Sequence, residues 1–315
     1  MLGIKALSRE IIEAVYSYSD RSLIPLILEL PTESIGGYLM SSQDFYSSLK
    51  NLRSKYSNSQ VYLSRIDCGP PHNEDLTSTY KILEIDSRNN IDIVQLDFSE
   101  LRLTRDKLSQ KYTQAIKYAQ RLNPGVTFQL GSCDTQPGTI QGEIEFFRSF
   151  AHPVFFTFDT GSKILEARQA GAFKYEASRR ASMVIKEFNI KTRETNLDFS
   201  TPEQIQLRKN IIDYISIGPE LALGVNNIMI ENAEYYNISL TNLTKEAMSD
   251  KSWIDQIDLG SPDDGNLCLL LRLHTLCHSK EYQRLVKRLE EKINLQEITQ
   301  KYIFSTINKY VQNFL

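Results

Sequence analysis

Arg65 and Asp67 end a short apolar run, Val61-Tyr62-Leu63, and Gly69-Pro70-Pro71 turns the chain behind them. A guanidinium can clamp a carboxylate or phosphate through two parallel hydrogen bonds, and a neighbouring carboxylate can act as general base or acid. The pairing recurs at Arg193-Glu194, and polar residues end other apolar runs at Glu29, Asp97, Gln129, Asp134, Asp159 and Ser216. Asp67, Asp134 and Glu194 are the candidate catalytic groups. Glu29, Arg65, Asp97, Asp159, Arg193 and Ser216 are candidate substrate contacts. Two stretches also suit an anion. FDTGSKI sets Gly161 and Ser162 before Lys163, and SIGPELALGV puts Gly218 and Pro219 at a helix start, where main-chain N–H groups can hold a phosphate or carboxylate. Lys163 is the residue through which a Schiff-base route could run.

Such groups act together only if the fold gathers them. Strand-like runs at 3–7, 24–30, 61–66, 91–98, 126–131, 154–159, 190–195 and 212–218 alternate with amphipathic segments, the pattern of parallel β/α architecture. Ser8, Ser41 and Thr201-Pro202 precede three of those segments as helix starts. The alternation predicts an α/β fold, a (β/α)8 TIM barrel over residues 1–236. A helical C-terminal extension over 237–315, packed on the barrel, carries EYQRLVKRLEEKI and ITQKYIFSTINKYVQNFL at helical spacing. Strand C-terminal ends form the mouth of such a barrel, so the polar residues above converge there.

A net charge of -3 without a dominant Lys/Arg block argues against nucleic acid as a partner. No apolar run reaches the length of a secretory core or membrane span, so no membrane contact and a cytoplasmic location are expected. Cys68, Cys133, Cys268 and Cys277 lack CxxC spacing and read as free thiols. In HTLCHSK, His274, Cys277 and His278 could reach a metal from one helix, but no second ligand pair is evident and a polar outer face accounts for them.

Several ordered stretches resemble the non-catalytic Z subunit family of D-tagatose-bisphosphate aldolase, a relative of the class II fructose-bisphosphate aldolases. They are LILELPTESIGGYLMSSQDF, LSRIDCGP, IDIVQLDFS, FFTFDTGSKI, RETNLDFST and IDYISIGPELALGVNNIMIENAEYY. The resemblance implies a barrel that handles sugar phosphates, with strand-end histidines holding a divalent metal. At those three positions this chain has Asp67, Thr160 and Thr195, and Ile66 replaces the family's catalytic aspartate. Zinc of the aldolase type is therefore not expected, and no cofactor is required. Mg2+ is the ion that Asp67 and Asp159 could take through oxygen.

Two functions follow as expectations. The first is an enzyme of carbohydrate metabolism, a lyase, epimerase or isomerase acting on a sugar, sugar phosphate or sugar acid. The second is a non-catalytic subunit that binds a sugar ligand or stabilises a class II aldolase partner. A homo-oligomer is compatible with either.

Overall fold

The computed structural model describes residues 1–32, 35, 37–69, 75–98, 101, 103–131, 136–165, 168–249 and 264–315. Eight parallel strands close into a barrel: β1 (Leu2–Lys5), β2 (Leu26–Pro31), β3 (Val61–Cys68), β4 (Ile93–Leu96), β5 (Thr127–Gly131), β6 (Pro153–Thr157), β9 (Lys191–Glu194) and β10 (Tyr214–Ile217). All eight overlap the runs read from sequence. An antiparallel ribbon that the sequence did not disclose, β7 (Ile164–Leu165) and β8 (Arg168–Gln169), lies between β6 and β9.

The outer layer holds α1 (Arg9–Ser22), α2 (Ser42–Lys55), α3 (Thr77–Arg88), α4 (Arg105–Leu122), α5 (Pro137–Arg148), α6 (Tyr175–Glu187), α7 (Pro202–Gln206) and α8 (Pro219–Tyr235). Each expected start is a real cap. Ser8 accepts from the Ile11 N–H, Ser41 from that of Asp44, and Thr201 forms a reciprocal capping box with Gln204, satisfying donors that a helix leaves open at its first turn.

Beyond the barrel lie α9 (Thr241–Ser249), α10 (Gly265–Arg272), α11 (Lys280–Glu290) and α12 (Leu295–Phe314). The chain is thus a (β/α)8 barrel with a helical extension. Helix α12 runs along α1, α7 and α8. The Tyr18 hydroxyl donates to Asn308 at 2.6 Å, and that of Tyr310 donates to Glu220 and lies 3.0 Å from the Leu197 carbonyl. His274 is half-buried and its pKa falls to about 4 through desolvation; Asn226 lies 3.1 Å from its Nδ1. The Cys277 thiol donates to the Tyr38 carbonyl. No helix among the described residues is long and apolar enough to cross a membrane.

Register fixes what fills the barrel. Parallel partners share a face, so the rows Ile27–Tyr62, Glu29–Ser64–Ile93, Gln95–Gln129–Phe155 and Thr157–Arg193–Tyr214 point inward. The lower interior is an apolar plug of Ile27, Ile93, Phe155 and Tyr214. Above it the interior turns polar.

Candidate active site

The polar layer is organised by one ion pair. Arg193 on β9 reaches across the barrel to Glu29 on β2, with Nη2 2.5 Å from Oε1, and both side chains are essentially inaccessible. The Tyr214 hydroxyl also donates to Oε1, and Ser216 donates to Oε2 at 2.6 Å. Gly3 makes room for this contact, because a Cβ there would collide with the Tyr214 ring. Burial pushes the Glu29 carboxyl up, but Arg193, Lys5 and the two hydroxyl donors outweigh it and hold the group below the usual carboxylate range.

Beside the pair, Arg193 Nη1 donates to the Thr157 hydroxyl at 3.2 Å, and Gln129 donates to Gln95 at 3.0 Å and to Thr157 at 3.3 Å. Among the described residues, Arg193 Nε, Gln129 Oε1 and the Ser64 hydroxyl are buried without a hydrogen-bond partner. Buried polar groups in native proteins are nearly always satisfied, so three orphans in one layer call for water or a ligand.

Lys5 closes β1 next to Glu29 in register. Its stem passes so near Gly218 that a Cβ there would lie 2.6 Å from the Lys5 Cβ. Among the described residues it forms no ion pair within 4.0 Å, yet its charge acts on Glu29, Asp67 and Asp198.

Asp67 sits within a register shift in β3 between Arg65 and Cys68, with a left-handed φ of 56°. Its side chain is exposed, yet the protein around it displaces part of the surrounding solvent. That desolvation, with Asp97 and Glu29 nearby, raises its carboxyl above the usual range against the pull of Lys5 and Arg193.

Asp198, four residues beyond β9, was not among the expected site residues. It is fully buried, and its Oδ1 accepts from the N–H groups of both Gly218 (2.7 Å) and Glu220 (2.8 Å) at the start of α8. Oδ2 has no partner among the described residues. With both bonds on one oxygen, burial prevails and the pKa rises to about 6 from an ordinary 3.8. A carboxyl raised on folding binds its proton more tightly when folded, so this group's stability contribution declines between pH about 4 and about 6, by ~3 kcal/mol. Asp198→Asn should remove that part of the slope, read from urea midpoints at half-unit pH steps. An identical slope in the variant would place the titration elsewhere.

The structure thus gathers Glu29, Asp67, Arg193 and Ser216 of the expected residues, and Asp97, half-buried, acts electrostatically on Asp67. Others it separates. Arg65 points away from the barrel axis into the helical layer, where Nε and Nη2 clasp Asp86 of α3 at 2.8 and 2.7 Å and Tyr46 of α2 donates to the same carboxylate. Adjacent strand residues face opposite sides, so with Ser64 inward Arg65 is outward, and the bulge beyond it re-aims Asp67.

Glu194, next to inward Arg193, is outward for the same reason. It is sealed by Arg208 at 2.9 Å, by Thr160 at 2.8 Å and by Ser162. Ser162 and Glu194 therefore belong to a strut holding the β6–α6 segment, not to the cup. Asp159 accepts from the Gly161 N–H at 2.8 Å and pairs with Lys174 at 2.6 Å, so Gly161 and Asp159 satisfy each other. The Gly218 N–H is taken by Asp198. Asp134 lies outside the described residues.

The histidine-held metal that the resemblance implies does not fit the groups present. Thr160 is spent on Glu194, Thr195 offers a neutral hydroxyl, and no group of three or more His, Cys, Asp or Glu suited to a metal occurs among the described residues. Residues that sequence reasoning missed are Lys5, Ser64, Gln95, Thr157, Tyr214 and Asp198. A two-residue earlier end to the first strand would have exposed Lys5.

In enzymes built on closed parallel barrels the active site lies at the C-terminal mouth, the end at which this protein's polar layer sits. No family model matches the chain. No curated protein matches it either. Solved structures do share its fold. A probable tagatose 6 phosphate kinase from Sinorhizobium meliloti superposes with a TM-score of 0.81 at 13% identity, covering 99% of both chains. The YdjI aldolase from Escherichia coli gives 0.56 at 11% identity over 92% of this chain and 90% of its own. A fructose-bisphosphate aldolase from Campylobacter jejuni gives 0.56 at 13% over 96% and 91%. At such identities the likeness establishes the fold alone.

Proposed function

We propose that the mouth of the barrel binds a sugar, sugar phosphate or sugar acid in the cytoplasm and acts on it as a lyase, epimerase or isomerase, without a histidine-held zinc. The carrying observation is the polar layer itself, an Arg193–Glu29 pair beside the unpartnered Ser64 hydroxyl, Gln129 Oε1 and Arg193 Nε. These donors and acceptors match the vicinal hydroxyls of a carbohydrate. The aldolase names among the fold neighbours support the same substrate class.

Water-reached Asp67 is the base. It takes a proton from the carbon beside a carbonyl, or from the hydroxyl whose C–C bond breaks, and the electron pair moves onto the carbonyl oxygen. The Lys5 ammonium offsets the charge that develops there. A raised carboxyl is the stronger base once ionised.

Calorimetric titration with open-chain sugars tests this reading. The expected result is that Asp67→Asn keeps binding within about threefold and loses at least a hundredfold in turnover, the scale of a general base. Unchanged turnover would remove Asp67 from the chemistry. Elemental analysis of the purified protein should show zinc well below stoichiometry, and one bound zinc per chain would contradict the proposal.

The second reading, a non-catalytic subunit, is favoured by one observation, the Asp67, Thr160 and Thr195 set at the family's metal positions. Ligand binding with no turnover of any carbonyl sugar, together with stable association with a class II aldolase, would select it.

A further inference from the structure

We propose that the cup takes an unphosphorylated sugar or polyol and excludes its phosphate esters. This inference rests on the sugar-binding reading above and narrows it. Anion sites in proteins are built from main-chain N–H groups left open at helix starts and turns. Among the described residues two such places lie at the mouth, and the protein's own side chains occupy main-chain donors at both.

At the start of α8 every donor is assigned. The Gly218 and Glu220 N–H groups go to Asp198 Oδ1, Pro219 has none, and the Leu221 N–H goes to the Gly218 carbonyl. In the β6–α6 segment the Gly161 N–H goes to Asp159, and the Lys163 N–H goes to Gln169 Oε1 at 2.9 Å. Of the two lysines beside that turn, Lys174 is paired with Asp159 at 2.6 Å, and Lys163 acts on the same carboxylate.

A phosphate entering either place would meet a carboxylate instead of a donor. Displacing Asp198 would force a fully buried carboxylate to lose its only two hydrogen bonds. The remaining charges point the same way. Arg193 is ion-paired with Glu29, and among the described residues Lys5 is the remaining cation that acts on both Asp67 and Asp198. Among the described residues the mouth therefore carries an acidic balance with hydroxyl-matching groups, suited to a neutral polyhydroxylated ligand.

The test is a titration of the intact wild-type protein at pH 7.5 with D-tagatose, D-fructose and galactitol. Each is run against its phosphate ester, with inorganic phosphate as a separate probe. The expected result is binding of a neutral member at least tenfold tighter than its ester, and no stabilisation by inorganic phosphate. Equal or tighter binding of the ester overturns the inference while leaving the sugar reading intact. Binding of neither form defeats both.

Asp198→Ala supplies the complement, because it frees the Gly218 and Glu220 donors. Inorganic phosphate should then raise its melting temperature where it leaves the wild type unmoved. If that variant does not fold, Asp159→Ala opens the Gly161 turn for the same measurement. A folded variant indifferent to phosphate overturns the occupied-nest argument.

Discussion

Arg193→Met is expected to cost about 3–5 kcal/mol of folding stability and to abolish ligand binding. Removing one member of a buried ion pair strands the other, and the penalty is mostly that of the stranded charge. Here the stranded group is Glu29, left in the barrel interior with the Ser216 and Tyr214 hydroxyls and the more distant Lys5.

The pH dependence should reverse with it. In the wild type the Glu29 carboxyl is held low, so its stabilisation is present above the unfolded carboxylate pKa and is lost as pH falls through the lower folded value. Without Arg193, burial raises the carboxyl, and stability should instead decline as pH rises. Urea denaturation at pH 5 and pH 8 reads the sign. A companion Glu29→Gln in the Arg193→Met background should recover much of the loss, because no unpaired charge then remains. If the single variant stays within about 1 kcal/mol of wild type, the pair does not organise the barrel in the way described.

Arg65→Met gives the opposite dissociation of effects. Arg65 is as buried as Arg193 and holds Asp86 through two hydrogen bonds, with a third donor to the Leu30 carbonyl at 3.2 Å. Loss of about 3–5 kcal/mol is expected again, for the same electrostatic reason, since among the described residues Asp86 would keep only Tyr46 as a side-chain donor. Ligand affinity of the folded protein should nevertheless remain within about twofold, because Arg65 lies in the helical layer. Chemical denaturation and calorimetric titration of the same preparation measure both quantities. An Arg65 variant with normal stability and no binding would put this guanidinium back in the cup.

The two arginines show where sequence stops being informative. Eight strands were legible because apolar runs and capped amphipathic segments alternate, and Ser8, Ser41 and Thr201 mark their helices physically. The facing of a strand tip was not. A parallel barrel strand is buried on both sides, so the polar–apolar alternation that reveals orientation in a half-exposed strand is missing. Arg65 follows inward Ser64, and Glu194 follows inward Arg193, with nothing in composition to separate the faces. A single bulge then offsets the parity at Asp67. Lys5 escaped notice because Ala6 and Leu7 extend the apolar run past the strand's true end. Asp198 lies in a loop whose course depends on the β7–β8 ribbon, where Gln169 donates to the Asn196 and Asp198 carbonyls.

Glu220 links two parts of the chain. Its N–H is held by Asp198, and its carboxylate takes Lys309 at 2.5 Å, the Tyr310 hydroxyl at 2.5 Å and the Phe199 N–H at 2.7 Å. Helix α12 consequently stands one carboxylate away from the start of α8 at the barrel mouth. Laboratory evolution aimed at a new ligand preference should diversify positions 309 and 310 along with the loops, since mutations there can tilt the first turn of α8 without touching the ligand.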